Sequence, residues 1–419
     1  MPPTNRLKRW AGSAMLAISA LVAGCGGPSA PIPSASSPAP SATPVATSLV
    51  GAGSSLPSSA GPTTASATPT ATPSAPLISS IPGFQAGSVT FVSTQDGWVL
   101  GTAPCAAGGS CLALAQTQDR GTTWTSAVPP PTGFLLSSGG TGVFGVRFAD
   151  QKDGWAYGSQ LWATHDGGTT WTQISLPGLT AEASPPIQDV EASAGLVHAV
   201  YSANGGFAIA TSPVGSNSWT ASPTTISYGA GPVPIAQLVL QGSAGWALEN
   251  DRTVAGGARL QGGSWSSWTP PCGTLGGPAA LAGSSAQDVV AVCVQGVWAG
   301  GAMSVQSYVS TNGGSSFTVM ATPLPFSAAQ VAADGDAPPP VASPSTSVLV
   351  AGVEGQLLAT FDGGTTWSTV YPGAATAMID YVGFTTTSQG VAIEGTIVGP
   401  LGTLLMTMDG GHTWTPVNI

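Results

Sequence analysis

The sequence predicts an all-β fold built from seven copies of one four-stranded unit, and three observations carry that prediction. A short phrase, Ser/Thr-x-Asp-x-Gly-x-Thr-Trp, returns along the chain. Its closing aromatics Trp124, Trp171, Trp219, Trp268, Phe317, Trp367 and Trp414 are spaced 47, 48, 49, 49, 50 and 47 residues apart. A second phrase, Asp-Gly-Trp, lies upstream of the first in several copies. The composition, 58 Gly and 37 Pro in 419 residues with only 6% charged, suits many short strands and turns and leaves no long amphipathic helix after the N-terminus.

The closing phrase is complete at Thr117–Trp124, Thr164–Trp171, Thr360–Trp367 and Thr407–Trp414, with Asp119, Asp166, Asp362 and Asp409 as its acids. Asn312 replaces the acid in Ser310–Phe317, and the copies ending at Trp219 and Trp268 have lost it. Each copy sits between β-rich runs, as a hairpin turn does. Asp accepts backbone N–H bonds locally, the following Gly takes positive φ, and the Trp packs beneath the turn.

In the upstream phrase, Phe91, Phe148, Val239 and Phe384 each stand seven residues before Trp98, Trp155, Trp246 and Val391. That spacing describes a strand, a tight turn and a second strand. A unit of forty to fifty residues with four strands is one blade of a β-propeller. The expected architecture is therefore a seven-bladed β-propeller of four-stranded antiparallel blades over residues 84–419. Alternate connections in an antiparallel sheet go to opposite ends, so both repeated turns should share one face. The other face should carry the variable connections, among them Glu249–Leu260, where specificity is usually built.

These motifs resemble the Asp-box (BNR) repeats of sialidases, sortilin-type receptors, xyloglucan-cleaving glycosidases and photosystem II assembly factors, over about residues 87–419. The resemblance implies that the Asp box joins the two outer strands of a blade, away from the ligand site. Asp119, Trp124, Asp166, Trp171, Trp219, Trp268, Asn312, Phe317, Asp362, Trp367, Asp409 and Trp414 are then structural. Of the remaining tryptophans, Trp162 reads as core and Trp265 as part of an outer turn. The assembly-factor likeness implies a scaffold for a membrane complex, though the arginine-rich surface of that family is missing.

Residues 1–24 read as a lipoprotein signal peptide. Arg6, Lys8 and Arg9 precede the apolar run 15–23, and Val22-Ala-Gly-Cys25 resembles a bacterial lipobox with Cys25 as the lipidated residue. The run is too short to span a bilayer. Residues 25–83, rich in Pro, Ser, Thr and Ala, read as a disordered tether spanning roughly 40 Å as a coil or 170 Å as polyproline II. The expected location is the cell surface, anchored in the membrane through Cys25.

The other four cysteines form two close pairs, Cys105 with Cys111 and Cys272 with Cys293, which read as disulfides in an exported chain. Neither pair nor the three histidines has metal-site spacing, so neither metal nor cofactor is expected. The net charge of −10, with three of the eight basic residues inside the signal, argues against nucleic acid as a partner. A monomer is expected.

The sialidase likeness implies an arginine triad and an early Arg-Ile-Pro phrase, which this chain lacks; only Arg147 falls on an expected inner strand. A xyloglucanase-like enzyme needs two opposed carboxylates, for which Asp189, Glu249, Asp251, Glu354, Asp380 and Glu394 are the candidates. Asp189 also reads as an ion-pair partner of Arg147 in the neighbouring blade. No catalytic residue is assigned. The sequence favours a non-catalytic protein- or glycan-binding module, with Trp298, Phe134, Tyr228 and Phe326 as candidate ligand-binding aromatics on the variable face. A glycosidase and an envelope assembly scaffold are the competing readings.

Overall fold

A computed structural model describes residues 81–136, 140–180, 185–228, 235–251, 253–274, 278–295, 304–325, 338–353, 355–374, 376–396 and 399–419. All belong to one compact unit, Leu77–Ile419. Cys25, the tether up to residue 80, Trp298, Phe326 and Glu354, and the side chain of Asp251, lie outside the described residues.

Among the described residues, 28 strands run from Gln85–Phe91 to Thr415–Val417. They pair antiparallel in consecutive fours. Five of the fours are separate sheets, while the first and last are joined into an eight-stranded sheet through Ala86 and Gly402. The last four are complete without an added N-terminal strand. Ile81, just before the first strand, accepts a turn bond from the Phe84 N–H (3.1 Å).

Within each four, position decides composition. Second strands such as Gly97–Pro104, Gly154–Gly158 and Leu196–Ala203 are buried almost throughout, so they read as continuous apolar runs. Fourth strands such as Thr125–Ala127, Thr172–Ile174 and Thr415–Val417 are three residues long and largely exposed, and a short edge gives little template for unwanted pairing. The apolar core is divided into clusters, each shared by two adjacent sheets. Trp98, Leu100 and Leu114 of the first meet Val143, Val146 and Phe148 of the second, and Val99 and Trp124 of the first meet Val391, Ile393 and Met406 of the last. Trp98 stacks flat on Phe148, centroids 3.9 Å apart.

The repeated turns show why their residues recur. Thr117, Thr164, Ser310, Thr360 and Thr407 are buried, and each hydroxyl accepts the N–H of the glycine four residues on at 2.9–3.0 Å. The same hydroxyls donate to the following acid or amide. The acid then accepts the N–H and hydroxyl four residues ahead, as Asp362 does from Thr366 at 2.8 and 2.7 Å. Those bonds hold Asp362 down at about 2, the backbone bond from Thr366 contributing most.

Both repeated turns do share one face, because they bond each other. The Arg120, Gly167, Gly313, Gly363 and Gly410 N–H groups donate to Gln95, Lys152, Gln287, Ser347 and Ser388 carbonyls at 2.7–3.1 Å. In the upstream turn, glycine is required by packing. A Cβ on Gly97, Gly154 or Gly390 would lie 2.6, 2.5 or 2.8 Å from the ring of Phe91, Phe148 or Phe384 across the strand pair. Each Phe covers a glycine, which fixes register.

Two sequence expectations are corrected. Glu249–Leu260 is not a loop: it forms the end of the strand Ala244–Asp251 and nearly all of its partner Thr253–Gln261, with Glu249 opposite Gly256, because the ladder continues almost to the bend. Trp265 is not in a turn either. Gly262 and Gly263, both at positive φ, make a two-residue hairpin turn that pairs Gln261 with Ser264, leaving Trp265 on the strand Ser264–Trp268.

That placement compensates for the two copies that lost their acid. The buried Trp265 indole donates to His198 Nδ1 of the preceding sheet (3.2 Å), and Thr211, at the position of the buried turn threonines, bonds the same nitrogen at 2.8 Å. Nδ1 must be unprotonated to accept both. Burial pushes His198 down to about 4. An unfolded His titrates near about 6.5, so this stabilisation is complete above that pH and is lost as pH falls through about 4, on the order of 3 kcal/mol. Replacing His198 with Asn should shrink the drop in melting temperature that wild type shows between pH 7 and 4. Trp124, fully buried, should cost about 3–5 kcal/mol in urea unfolding when changed to Ala.

Candidate functional site

The first strands of the fours, Gln85–Phe91, Val143–Phe148, Ile187–Ser193, Ala236–Gln241, Ala279–Gly283, Val341–Ser345 and Ala377–Phe384, all line one cavity of about 850 Å³. Each of the first six packs beside the first strand of the next sheet without forming a ladder with it, so its backbone donors need other partners. Side chains supply them. Ser88 accepts from the Val146 N–H (3.0 Å), Gln188 from Ala236 (3.2 Å), Asp189 from Leu238 (3.0 Å) and Gln237 from Leu281 (2.9 Å).

Five of these strands carry a β-bulge or register shift, and in four of them it leaves a single residue, Gly87, Phe144, Gln188 or Asp380, out of the pairing. All four residues line the cavity, as expected of bulges that re-aim side chains. The cavity's charged residues are Arg147, Asp189, Glu191 and Asp380. Arg147 Nη2 meets Glu191 Oε1 at 2.7 Å, and its Nε–H donates to the Val190 carbonyl at 3.3 Å. Asp189 accepts from Tyr157 Oη (3.1 Å), the Val190 N–H (2.9 Å) and the Leu238 N–H.

Glu191 thus contacts the guanidinium, and Asp189 stands near enough to feel its charge. Burial raises Asp189 against the pull of Arg147. Burial also pushes Glu191 up to about 8, with Arg147 opposing and Asp189 adding to the rise. Burial and Asp189 raise the Tyr157 phenol well above its ordinary range. Tyr381, from the last of the first strands, lines the same cavity and is close enough for its phenol to act on the Arg147 charge.

No family model and no curated protein sequence matches the chain. Solved structures do match. YCF48 from Cyanidioschyzon merolae is 16% identical, with 79% of this chain and 98% of that chain covered and a TM-score of 0.52. The GH74 xyloglucanase from Xanthomonas campestris is 14% identical, covering 81% of this chain and 60% of that one (TM-score 0.48). A PL25 ulvan lyase is 10% identical, covering 80% and 96% (TM-score 0.47). The fold is that of a β-propeller. The sheets are then its blades, and the shared cavity is the central channel of the propeller.

The propeller places the expected residues unevenly. Arg147 does sit on an inner strand, but its direct partner is Glu191, where the sequence pointed to Asp189. The bulge at Gln188 turns Asp189 toward the Leu238 N–H of the next blade, and Glu191, two residues on and on the same side, meets the guanidinium. That alternation was the available signal for Glu191. Glu394 is tied to the Tyr371 hydroxyl (2.8 Å) and the Ala374 N–H (3.2 Å), and Glu249 is fully buried. Asp380 is exposed on the channel wall.

Of the candidate aromatics, Phe134 bridges to Val143 and lays its ring over Gly87, where a Cβ would come within 2.4 Å of it. Tyr228 packs edge-on to Phe207 at 4.9 Å and bonds the Ser202 hydroxyl. Both are half-buried and anchor their loops to the propeller body.

The cysteines pair as expected, Cys105 with Cys111 and Cys272 with Cys293, with Cα separations of 5.4 and 5.3 Å. Such pairs belong to an oxidising, extracytoplasmic setting. No helix among the described residues is long and apolar enough to cross a membrane, and none of their acidic, His and Cys side chains group as metal ligands. Changing Asp189 to Ala strands the Leu238 N–H and the Tyr157 hydroxyl, and should lower unfolding free energy by about 1.5–3 kcal/mol for each charged bond lost. Asp189→Asn, which keeps an acceptor oxygen, should cost less in the same urea titration.

Proposed function

We propose that the chain is a lipid-anchored, extracytoplasmic, seven-bladed Asp-box β-propeller that binds a protein or glycan partner and performs no chemistry on it. The observation that carries this reading is the commitment of two of the candidate carboxylates, Asp189 and Glu394. Both oxygens of Asp189 and both of Glu394 accept bonds from the protein's own donors. Asp189 and Glu191 also stand two residues apart on one strand, hence on one wall. An inverting glycosidase needs its acid and base on opposite sides of the bond, and a retaining one needs a free nucleophile facing its acid.

The repeated turns bond each other on one face, which leaves the irregular connections on the other face as the binding surface. Leu136 and Ile235, 62% and 44% exposed, stand in those connections. The membrane attachment rests on the Val22-Ala-Gly-Cys25 sequence, and the residues between Cys25 and the first strand serve as the spacer. Asp-box turns at Asp119, Asp166, Asn312, Asp362 and Asp409 are scaffold in this reading.

Three measurements test it. The full chain should retain glycans or a protein partner on its surface, and mass analysis of any bound glycan should show no cleavage; a shortened glycan would sink the non-catalytic reading. Photo-crosslinkers placed at Leu136 and Ile235 should capture the partner, whereas one at Met408, 51% exposed beside a repeated turn, should not. Capture from Met408 alone would put the working surface on the opposite face. Substitution of Cys25 by Ala should release the chain from membranes and abolish incorporation of a radiolabelled fatty acid.

A further inference from the structure

The channel cluster presents hydrogen-bonding groups to the cavity. A guanidinium carries five N–H donors. Arg147 directs Nε toward Val190 and Nη2 toward Glu191, two of the five. A carboxylate has several acceptor positions on its two oxygens, and Glu191 meets the guanidinium through Oε1. The Arg147 and Glu191 side chains are only 14% and 24% exposed, and what exposure they have is to the channel, since both line it. A donor edge and an acceptor oxygen therefore stand side by side at the wall of a cavity of about 850 Å³, a volume typical of small-molecule sites.

The charges around that edge decide what can occupy it. Arg147 is the sole basic residue lining the channel among the described residues, against Asp189, Glu191 and Asp380. An anionic ligand would gain one favourable partner, already paired with Glu191, and would meet Asp380, with repulsion from Asp189 and Glu191 as well whenever those are ionised. A simple cation would be welcomed by the acids but cannot accept a bond from Arg147. A hydroxyl does both, accepting from the guanidinium while donating to the carboxylate, and two neighbouring hydroxyls on one ring match the adjacent donor and acceptor. Phe144, set edge-on to Tyr157 at 5.3 Å, and Tyr381 line the same cavity and offer apolar faces for the C–H side of such a ring.

We infer that Arg147, Glu191 and Tyr381 form a channel site for a neutral sugar ring bearing adjacent hydroxyls. This rests on the glycan arm of the binding reading above and names the ligand class and the residues that hold it. Arg147 donates to one hydroxyl, Glu191 accepts from the next, and Tyr381 covers the ring. The elevated proton affinity of Glu191 fits the same picture, because a protonated carboxyl still offers both a donor and an acceptor to a diol.

The test titrates the full chain with neutral hexoses and their oligosaccharides, with uronic acids and with amino sugars, and repeats each titration on Glu191→Gln and Tyr381→Leu. Neutral sugars should bind best, and both variants should weaken that binding at least tenfold while melting within a few degrees of wild type. If Glu191→Gln does not fold, Tyr381→Leu, which leaves the ion pair intact, decides alone. Neutral sugars bound equally by wild type and both variants would overturn the channel site while leaving the binding module standing. Preference for uronic acids or amino sugars would overturn the ligand class. Absence of any sugar binding would overturn the inference outright, and a crosslinked partner at Leu136 or Ile235 would then show the module reading to survive without it.

Discussion

Everything in this propeller depends on how neighbouring inner strands meet without pairing. Sheets that radiate from an axis bring their first strands side by side at angles that forbid a ladder, yet each strand still presents backbone N–H groups that cannot be left dry. Ser88, Gln188, Asp189 and Gln237 each reach across to a donor of the next blade. These side chains set the distance between blades and make the channel wall polar. They also explain why a carboxylate at the centre of the molecule is first of all a structural group.

Between the blades, the packing is apolar and local. Each cluster belongs to two sheets only, so cohesion is built up from neighbour to neighbour, as in other repeat architectures. The outer turns add a second layer of order through the buried hydroxyls of Thr117, Thr164, Ser310, Thr360 and Thr407. Where the repeat decays, in the copies ending at Trp219 and Trp268, the contact between His198 and Trp265 takes over. The seam it makes is tied to a titrating group.

The fold was legible because its signals are local. A turn that needs Asp, Gly and Trp at fixed offsets writes itself into the sequence each time it occurs, and Phe91, Phe148 and Phe384 announce their inner strands by covering the glycines opposite. The placement of the two turn types on one face followed from strand parity alone. The site was less legible because it depends on bulges and on pairings across blades. One extra residue at Gln188 re-aims Asp189, and nothing in the spacing of the sequence marks that residue as unpaired. Arg147 could be assigned to an inner strand, but reading Asp189 as its partner missed Glu191, which only the register brings to the guanidinium. The lengths of Ala244–Asp251 and Thr253–Gln261 were missed for a related reason: Gly256, Gly257 and the polar residues near the bend resemble loop sequence, and only the ladder sustains them as strand.

The manner in which the ring closes has a consequence for how the chain can be rearranged. Every blade is made of four consecutive strands, and the described ends lie together, with Ile81, Phe84, Val417 and Ile419 in one apolar cluster. Among the described residues, the last blade takes all four of its strands from one consecutive stretch of chain. The order in which the blades are written is therefore separable from the order in which they stand: the ends can be joined and the chain reopened at another inter-blade connection with every sheet left whole. The molecule is circular in its packing and linear only in its covalent bonds.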